Sequence, residues 1–340
     1  MHIQVQRIMP IVFILFFVGC LPKGSNGQGE ENTTEVLTQA NQITIAGIYK
    51  DGSKGWFINE GLSAEKEATR LGAEEFIYID VKMDEDIYQQ ALTSMIDEDV
   101  DGVIICIPDQ SLSQTTVDIL RKENIPIVAT NDPIVGANGR LLTPFVGVDD
   151  YALGDMTGDW MANYAIKNGL MLNEDVGVLI LENDQQMNMK ERAEGQYERF
   201  IEMLPGFDKK RIFRLNYNGE TENAFNVAMD VFIKETIIET WLVMTGNDEG
   251  AIGVVRSLEQ LGLDQNASII SIGGTLAIDE FNREYSALKA SSYYSPEKIG
   301  KESANILMKY IINQEPMPEK QLFNAEIITK DNYQEVTGVE

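Results

Sequence analysis

The run Ile43-Thr44-Ile45-Ala46-Gly47-Ile48-Tyr49-Lys50, followed by the segment Trp56–Leu71, sets the fold of this chain. Ile43–Ile48 is a short, nearly continuous apolar stretch and reads as a strand buried on both faces. Trp56–Leu71 instead repeats its apolar residues at helical spacing. The same two signatures alternate to the end. Further strands are expected at Glu75–Asp80, Gly102–Cys106, Ile125–Thr130, Phe145–Val148, Val176–Leu181, Ile212–Leu215, Thr240–Thr245, Ser268–Ile272, Leu288–Ser292 and Ala325–Ile328. Helical patterns lie between them at Ile87–Ile96, Leu153–Asn168, Lys190–Met203, Ala224–Lys234, Asp248–Leu261 and Glu297–Ile312. Such alternation predicts an α/β fold with parallel sheets covered on both faces. Asn131–Pro144, with Pro133, Gly136, Gly139 and Pro144, breaks the repeat and reads as a loop before the chain enters a second domain.

Toward the N-terminus the pattern changes. Arg7 precedes an apolar stretch from Ile8 to Val18, the length of a signal-peptide core and too short to span a bilayer. Phe17-Val18-Gly19-Cys20 resembles a bacterial lipobox at its Gly and Cys, although Phe17 replaces the usual aliphatic residue. Residues 1–19 are therefore expected to be removed and Cys20 to carry lipid. Residues 20–41 are polar, with few large apolar groups, and read as a flexible tether.

Processing at Cys20 restricts the available chemistry. The chain has one histidine, His2, and two cysteines, Cys20 and Cys106. The processed protein would hold no imidazole and no internal disulfide, which excludes histidine-based triads and histidine metal sites. Loss of Arg7 takes the formal net charge from −27 to −28, which opposes binding to nucleic acid and favours solubility. The acidic groups Asp84-Glu85-Asp86 and Asp97-Glu98-Asp99 lack calcium-loop spacing, so no metal and no cofactor is expected. Adjacent acids such as Asp149-Asp150 and Glu74-Glu75 read as solvated or divided between faces, not as an acid/base pair.

In open parallel sheets, ligands sit beyond the carboxyl ends of the strands. That rule selects Lys50, Cys106, Asp109, Asp132, Asn183, Asn247 and Thr275. Any one of them also suits a helix cap or turn. Together they supply the carboxylate, amide and cation that a hydroxyl-rich ligand needs. Trp56 adds a flat apolar face on which the C–H side of a sugar ring can lie, or it fills the core.

At this point the chain resembles the periplasmic L-arabinose-binding proteins of ABC importers. The resemblance rests on Ile45-Ala46-Gly47-Ile48-Tyr49-Lys50 with Gly55-Trp56-Phe57, on Ile105-Cys106-Ile107-Pro108-Asp109 and on Ile127-Val128-Ala129-Thr130-Asn131-Asp132. Trp241-Leu242-Val243-Met244-Thr245-Gly246-Asn247-Asp248, Gly253-Val254-Val255-Arg256 and Ile327-Ile328-Thr329-Lys330-Asp331-Asn332 continue it in order. It implies a type I periplasmic binding protein of two doubly wound lobes joined by a three-segment hinge. Residues 42–149 with 293–323 would form one lobe and 150–292 with 324–340 the other. It also implies a monomer, anchored to the membrane by lipid alone, that delivers a monosaccharide to an inner-membrane permease. A sensor presenting the sugar to a membrane receptor or kinase is the alternative.

By that resemblance Lys50 would bond a ring hydroxyl or ring oxygen, Trp56 would stack, and Asp132 would accept near the anomeric hydroxyl. Arg192 would donate to the ring oxygen and Asn247 to ring hydroxyls, with Cys106 on the pocket wall. Removing Arg192 should then weaken binding without unfolding the protein. Two positions depart from the family: Lys54 stands where a glutamate is usual, and Thr275 where an asparagine is usual. If Lys54 points inward, the site suits a uronate or sugar phosphate. If it bends into solvent, Asp51 or a water supplies the missing acceptor and a neutral sugar fits.

Overall fold

The computed structural model describes residues 42–171 and 173–339. The predicted export signal, tether and lipidation site at Cys20 lie outside the described residues. The chain starts with β1 (Ile43–Tyr49), α1 (Gly55–Arg70), β2 (Ala73–Asp80), α2 (Glu85–Asp97), β3 (Gly102–Ile105), α3 (Ser113–Lys122), β4 (Ile127–Thr130) and β5 (Phe145–Gly147). A second series follows with α4 (Asp150–Lys167), β6 (Val176–Glu182), α5 (Met187–Met203), β7 (Ile212–Asn216), α6 (Thr221–Lys234) and β8 (Thr240–Thr245). It continues through α7 (Asp248–Leu261), β9 (Ala267–Gly273), α8 (Ala277–Phe281) and β10 (Leu288–Tyr293), and the chain closes with α9 (Pro296–Asn313), β11 (Lys320–Leu322), β12 (Glu326–Thr329) and α10 (Tyr333–Thr337).

The strands form two six-stranded sheets, ordered β11-β5-β4-β3-β1-β2 and β12-β10-β9-β8-β6-β7. Within each series the first strand lies between the second and third, the doubly wound order with its switch point beside the first strand. Parallel pairing holds throughout, except that β12 runs antiparallel to β10. Helices cover both faces, so the inner strands are apolar without alternation. Gly102–Ile105 and Ile127–Thr130 are buried at every position.

Three short crossovers join the sheets, at 148–149, 294–295 and 323–325. The loop 131–144 is not itself a crossing. It carries a Val135–Leu141 bridge, buries Ile134 and returns the chain to β5 in the same sheet. Helix α9 comes back across the second crossover to pack on α1, and α4 packs on α5. The α4–α5 contact requires close backbone approach: a Cβ on Gly154 would lie 2.1 Å from the carbonyl oxygen of Arg192. A side chain there would push Arg192 from its place.

Four elements escape the sequence pattern for physical reasons. α8 and α10 have only five residues each, too few to show helical periodicity. β11 is three residues long and largely exposed at the sheet edge, so it lacks an apolar run. α3 contains Thr115, Thr116, Val117 and Ile119, whose β-branched side chains favour strands.

Candidate functional site

The carboxyl ends of the two sheets face one another across a cavity of about 320 Å³. From the first sheet, β1 ends at Lys50 and β4 leads into Asn131 and Asp132, while α1 brings Lys54 and Trp56. From the second, α5 brings Arg192, the turn after β8 brings Asn247, and the loop after β9 brings Thr275. All of these line the cavity.

Lys50 and Asp132 form a buried pair, with Nζ 2.6 Å from Oδ2. Burial works against the lysine charge, but Asp132 outweighs it and raises the pKa above the ordinary lysine range. Nζ still has protons to offer, and no hydrogen bond among the described residues engages Asp132 Oδ1. The pair therefore presents both donors and an acceptor to a ligand. Cys106 does not reach the cavity. It is fully buried and donates from Sγ to Asp132 Oδ2 at 3.3 Å, one layer behind the expected wall. Burial, then the Asp132 charge, pushes its thiol well above the ordinary range and keeps it protonated.

Trp56 is half-buried, and its Nε1 donates to Asn131 Oδ1 at 3.2 Å. Its ring packs on Tyr294 from the second crossover, with centroids 4.6 Å apart. Asn131 adopts a left-handed backbone, φ 57°, and donates from Nδ2 to Glu60, which also accepts from Thr130 Oγ1. Glu60 is fully buried on α1, and burial pushes its carboxyl up to about 8. A raised folded-state pKa contributes stability that is fully present below the unfolded value of about 4.3 and is lost as pH rises through the folded value. Wild type should therefore lose on the order of a few kcal/mol relative to Glu60→Gln between pH 5 and 9. Denaturant titrations across that range test this, and parallel profiles for the two proteins would refute it.

In the second lobe Arg192 is buried and almost fully engaged. Nε and Nη2 both lie 2.7 Å from Asp150 Oδ1, Nη1 donates to Gly246 O at 2.8 Å, and Nη2 donates to Tyr294 OH at 2.8 Å. One Nη1 proton remains for a ligand. Asn247 caps α7: Oδ1 accepts from Gly250 N and from Tyr217 OH, and Nδ2 donates to Gly219 O. It can offer one further N–H. Thr275 is carried by Gly273 and Gly274, both at positive φ; a Cβ on Gly274 would meet Tyr293 at 2.7 Å. The same loop directs Leu276 N and Ala277 N onto Asp248 Oδ2, which fixes that buried carboxylate.

Lys54 lines the cavity and is held by acids of both lobes. Its Nζ lies 2.9 Å from Glu220 Oε1 and 3.8 Å from Glu249 Oε1, with Asp51 Oδ2 at 3.9 Å. Its ammonium is thus paired across the cleft while the residue lines the cavity. Asp109 and Asn183 are turn residues: Asp109 accepts from Ser111 N, Asn183 from Gln185 N, and neither lines the cavity. The strand-end rule misses Tyr294, Glu220 and Glu249, which come from a crossover and two helix starts. The Tyr293-Tyr294 doublet at a strand end was the available signal for the first.

The cavity lining holds three cations, Lys50, Lys54 and Arg192, and five carboxylates, Asp51, Asp132, Glu220, Asp248 and Glu249. Among the described residues that line it no nucleophile is paired with a base, and its ion pairs leave Lys50 Nζ, Asp132 Oδ1 and Arg192 Nη1 with unused hydrogen-bonding capacity. Two doubly wound lobes, three crossovers and a polar cleft between strand ends define a bilobed binding protein. The chain belongs to the family described as the periplasmic binding protein domain, matched over residues 45–315, and is a binding protein, not an enzyme. It is 25% identical over 305 residues to the ABC transporter L-arabinose-binding periplasmic protein of Azospirillum brasilense, covering 86% of this chain and 88% of that one. The fold is shared with an ABC transporter periplasmic solute binding protein from Actinobacillus succinogenes with bound D-allose. That structure has a TM-score of 0.72 and 23% identity, over 86% of this chain and 99% of that one. An ABC transporter solute binding protein from Bacillus halodurans with bound myo-inositol gives a TM-score of 0.73 and 18% identity, over 87% of this chain and 98% of that one.

Proposed function

We propose that the protein captures a neutral monosaccharide, L-arabinose or a related pentose or hexose, and delivers it to an ABC importer. The observation that carries this reading is the pairing of every cavity cation with a carboxylate. Lys50 is held by Asp132, Arg192 by Asp150 and Lys54 by Glu220. A uronate or sugar phosphate would meet no unpaired cation and an excess of carboxylates, whereas hydroxyl groups can both donate and accept. The kinship with an L-arabinose-binding protein supports the pentose.

In this reading Lys50, Asp132, Arg192, Asn247 and Thr275 bond the hydroxyls and ring oxygen, and Trp56 covers an apolar ring face. Cys106 supports Asp132. Residues 42–149 with 293–323 close against 150–292 with 324–340, because a sugar bonded by both lobes favours the closed state. The protein works outside the cytoplasmic membrane as a monomer, tethered by lipid on Cys20. Calorimetry with L-arabinose, D-galactose, D-xylose, D-ribose and galacturonate tests the ligand class. A neutral sugar is expected to bind and galacturonate to give no heat; binding of galacturonate alone would overturn the reading.

A further inference from the structure

Among the described residues, Lys54 makes the only ion pairs that join side chains of one lobe to the other. Every other acid–base pair within 4.0 Å stays inside one lobe. Lys54 precedes α1 in the first lobe, whereas Glu220 precedes α6 and Glu249 lies in the first turn of α7 in the second. The Lys54 and Glu249 side chains are largely covered, at 21% and 19% exposure, so their attraction is less screened than that of a free surface pair. The nearer Glu220 is half exposed, and its contact is partly screened by solvent. Burial raises the Glu249 carboxyl pKa, Lys54 opposes that rise and Glu220 adds to it. The two glutamates therefore repel each other unless a cation stands between them.

Position gives this contact a purpose. Asp51, Met83 and Glu220 line the cavity on one side and, on the other, an open groove with Ser53, Asp80 and Lys82. Glu220 thus stands at the mouth, between the cavity and the groove, and Lys54 meets it from the cavity side.

We propose that Lys54 is an electrostatic latch: its ammonium clasps Glu220 and Glu249 across the cleft, holds the lobes closed and retards ligand departure without bonding the ligand. The latch rests on the two-lobed binding reading, but its first test needs no ligand. Small-angle X-ray scattering of the ligand-free protein should show Lys54→Glu more open than wild type at low salt. The open-to-closed ratio should change about two- to fivefold, the range for partly exposed ion pairs. The charge swap Lys54→Glu with Glu220→Lys should return the curve toward wild type. At about 1 M salt, where the Debye length is about 3 Å, the proteins should converge. Indistinguishable low-salt curves, or no rescue by the swap, would overturn the latch whatever the ligand proves to be. With a bound neutral sugar, stopped-flow dissociation should quicken by a similar factor in both Lys54→Met and Glu220→Gln/Glu249→Gln. A changed sugar preference in Lys54→Met, absent from the glutamate variant, would instead make Lys54 a ligand contact.

Discussion

Arg192→Ala is expected to cost about 3–5 kcal/mol of stability in addition to ligand affinity, because it strands a buried carboxylate. Asp150 is 5% exposed, and the guanidinium is its buried cationic partner. Burial pushes the Asp150 pKa up and Arg192 pulls it down, so without Arg192 the carboxyl must stay buried and unpaired or take up a proton. Tyr294 OH and Gly246 O lose a donor in the same change. Thermal denaturation should show a fall of roughly 5–8 °C for a chain of this size. The sequence leads to the expectation that the substitution weakens binding without unfolding the protein; the buried Asp150 adds a cost in stability that the sequence could not show. Arg192→Ala combined with Asp150→Ala separates the effects: it should recover much of the stability and none of the binding. A single variant as stable as wild type would show that Asp150 finds another partner.

The difference between the two expectations for Arg192 shows what a sequence can carry. Strand periodicity and the strand-end rule located Lys50, Asp132, Asn247 and Thr275, because the chain direction of a parallel sheet fixes which loops meet the ligand. The same logic could not say which donors would be spent within the protein. Three of the atoms that occupy Arg192 belong to Asp150, Gly246 and Tyr294, far away in sequence and delivered by a helix start, a turn and a crossover. Lys54 is a similar case. Its identity was a visible departure from the family, but its direction depends on Glu220 and Glu249, which only the juxtaposition of two lobes brings near. Cys106 shows the effect of depth: adjacency to a strand end placed it at the site, and one layer of packing put Asp132 between it and the cavity. Glu60 carried no signal, since an acid in an amphipathic helix ordinarily faces water, and here it faces Thr130 and Asn131.

Asp132→Asn is expected to weaken binding of the neutral sugar by about 2–5 kcal/mol, roughly 30- to several-thousand-fold in Kd, with the fold retained but less stable because Lys50 loses its buried partner. In the proposed reading the side chain performs two tasks through separate oxygens. Oδ2 receives Lys50 Nζ at 2.6 Å and Cys106 Sγ at 3.3 Å, and Oδ1 is left to accept from a sugar hydroxyl. An amide preserves the shape but replaces one acceptor with a donor, so either Lys50 or the sugar meets an N–H where it had a carboxylate. Loss of the charge also removes what holds the Lys50 pKa above its ordinary value, while the burial that lowers it remains. The buried amine then becomes easier to deprotonate, and a lysine neutral at the site can no longer make a charge-assisted bond to a ring oxygen. Binding by the variant should accordingly strengthen as pH is lowered, whereas wild type, with its ammonium secured, should vary little on account of Lys50. Cys106→Ser supplies the control: a hydroxyl still donates to Oδ2, so affinity should stay close to wild type. Calorimetry of the three proteins over a pH series reads all of these at once. If Asp132→Asn binds the sugar within threefold of wild type, Asp132 serves only to hold Lys50, and the acceptor for the sugar lies elsewhere in the cleft.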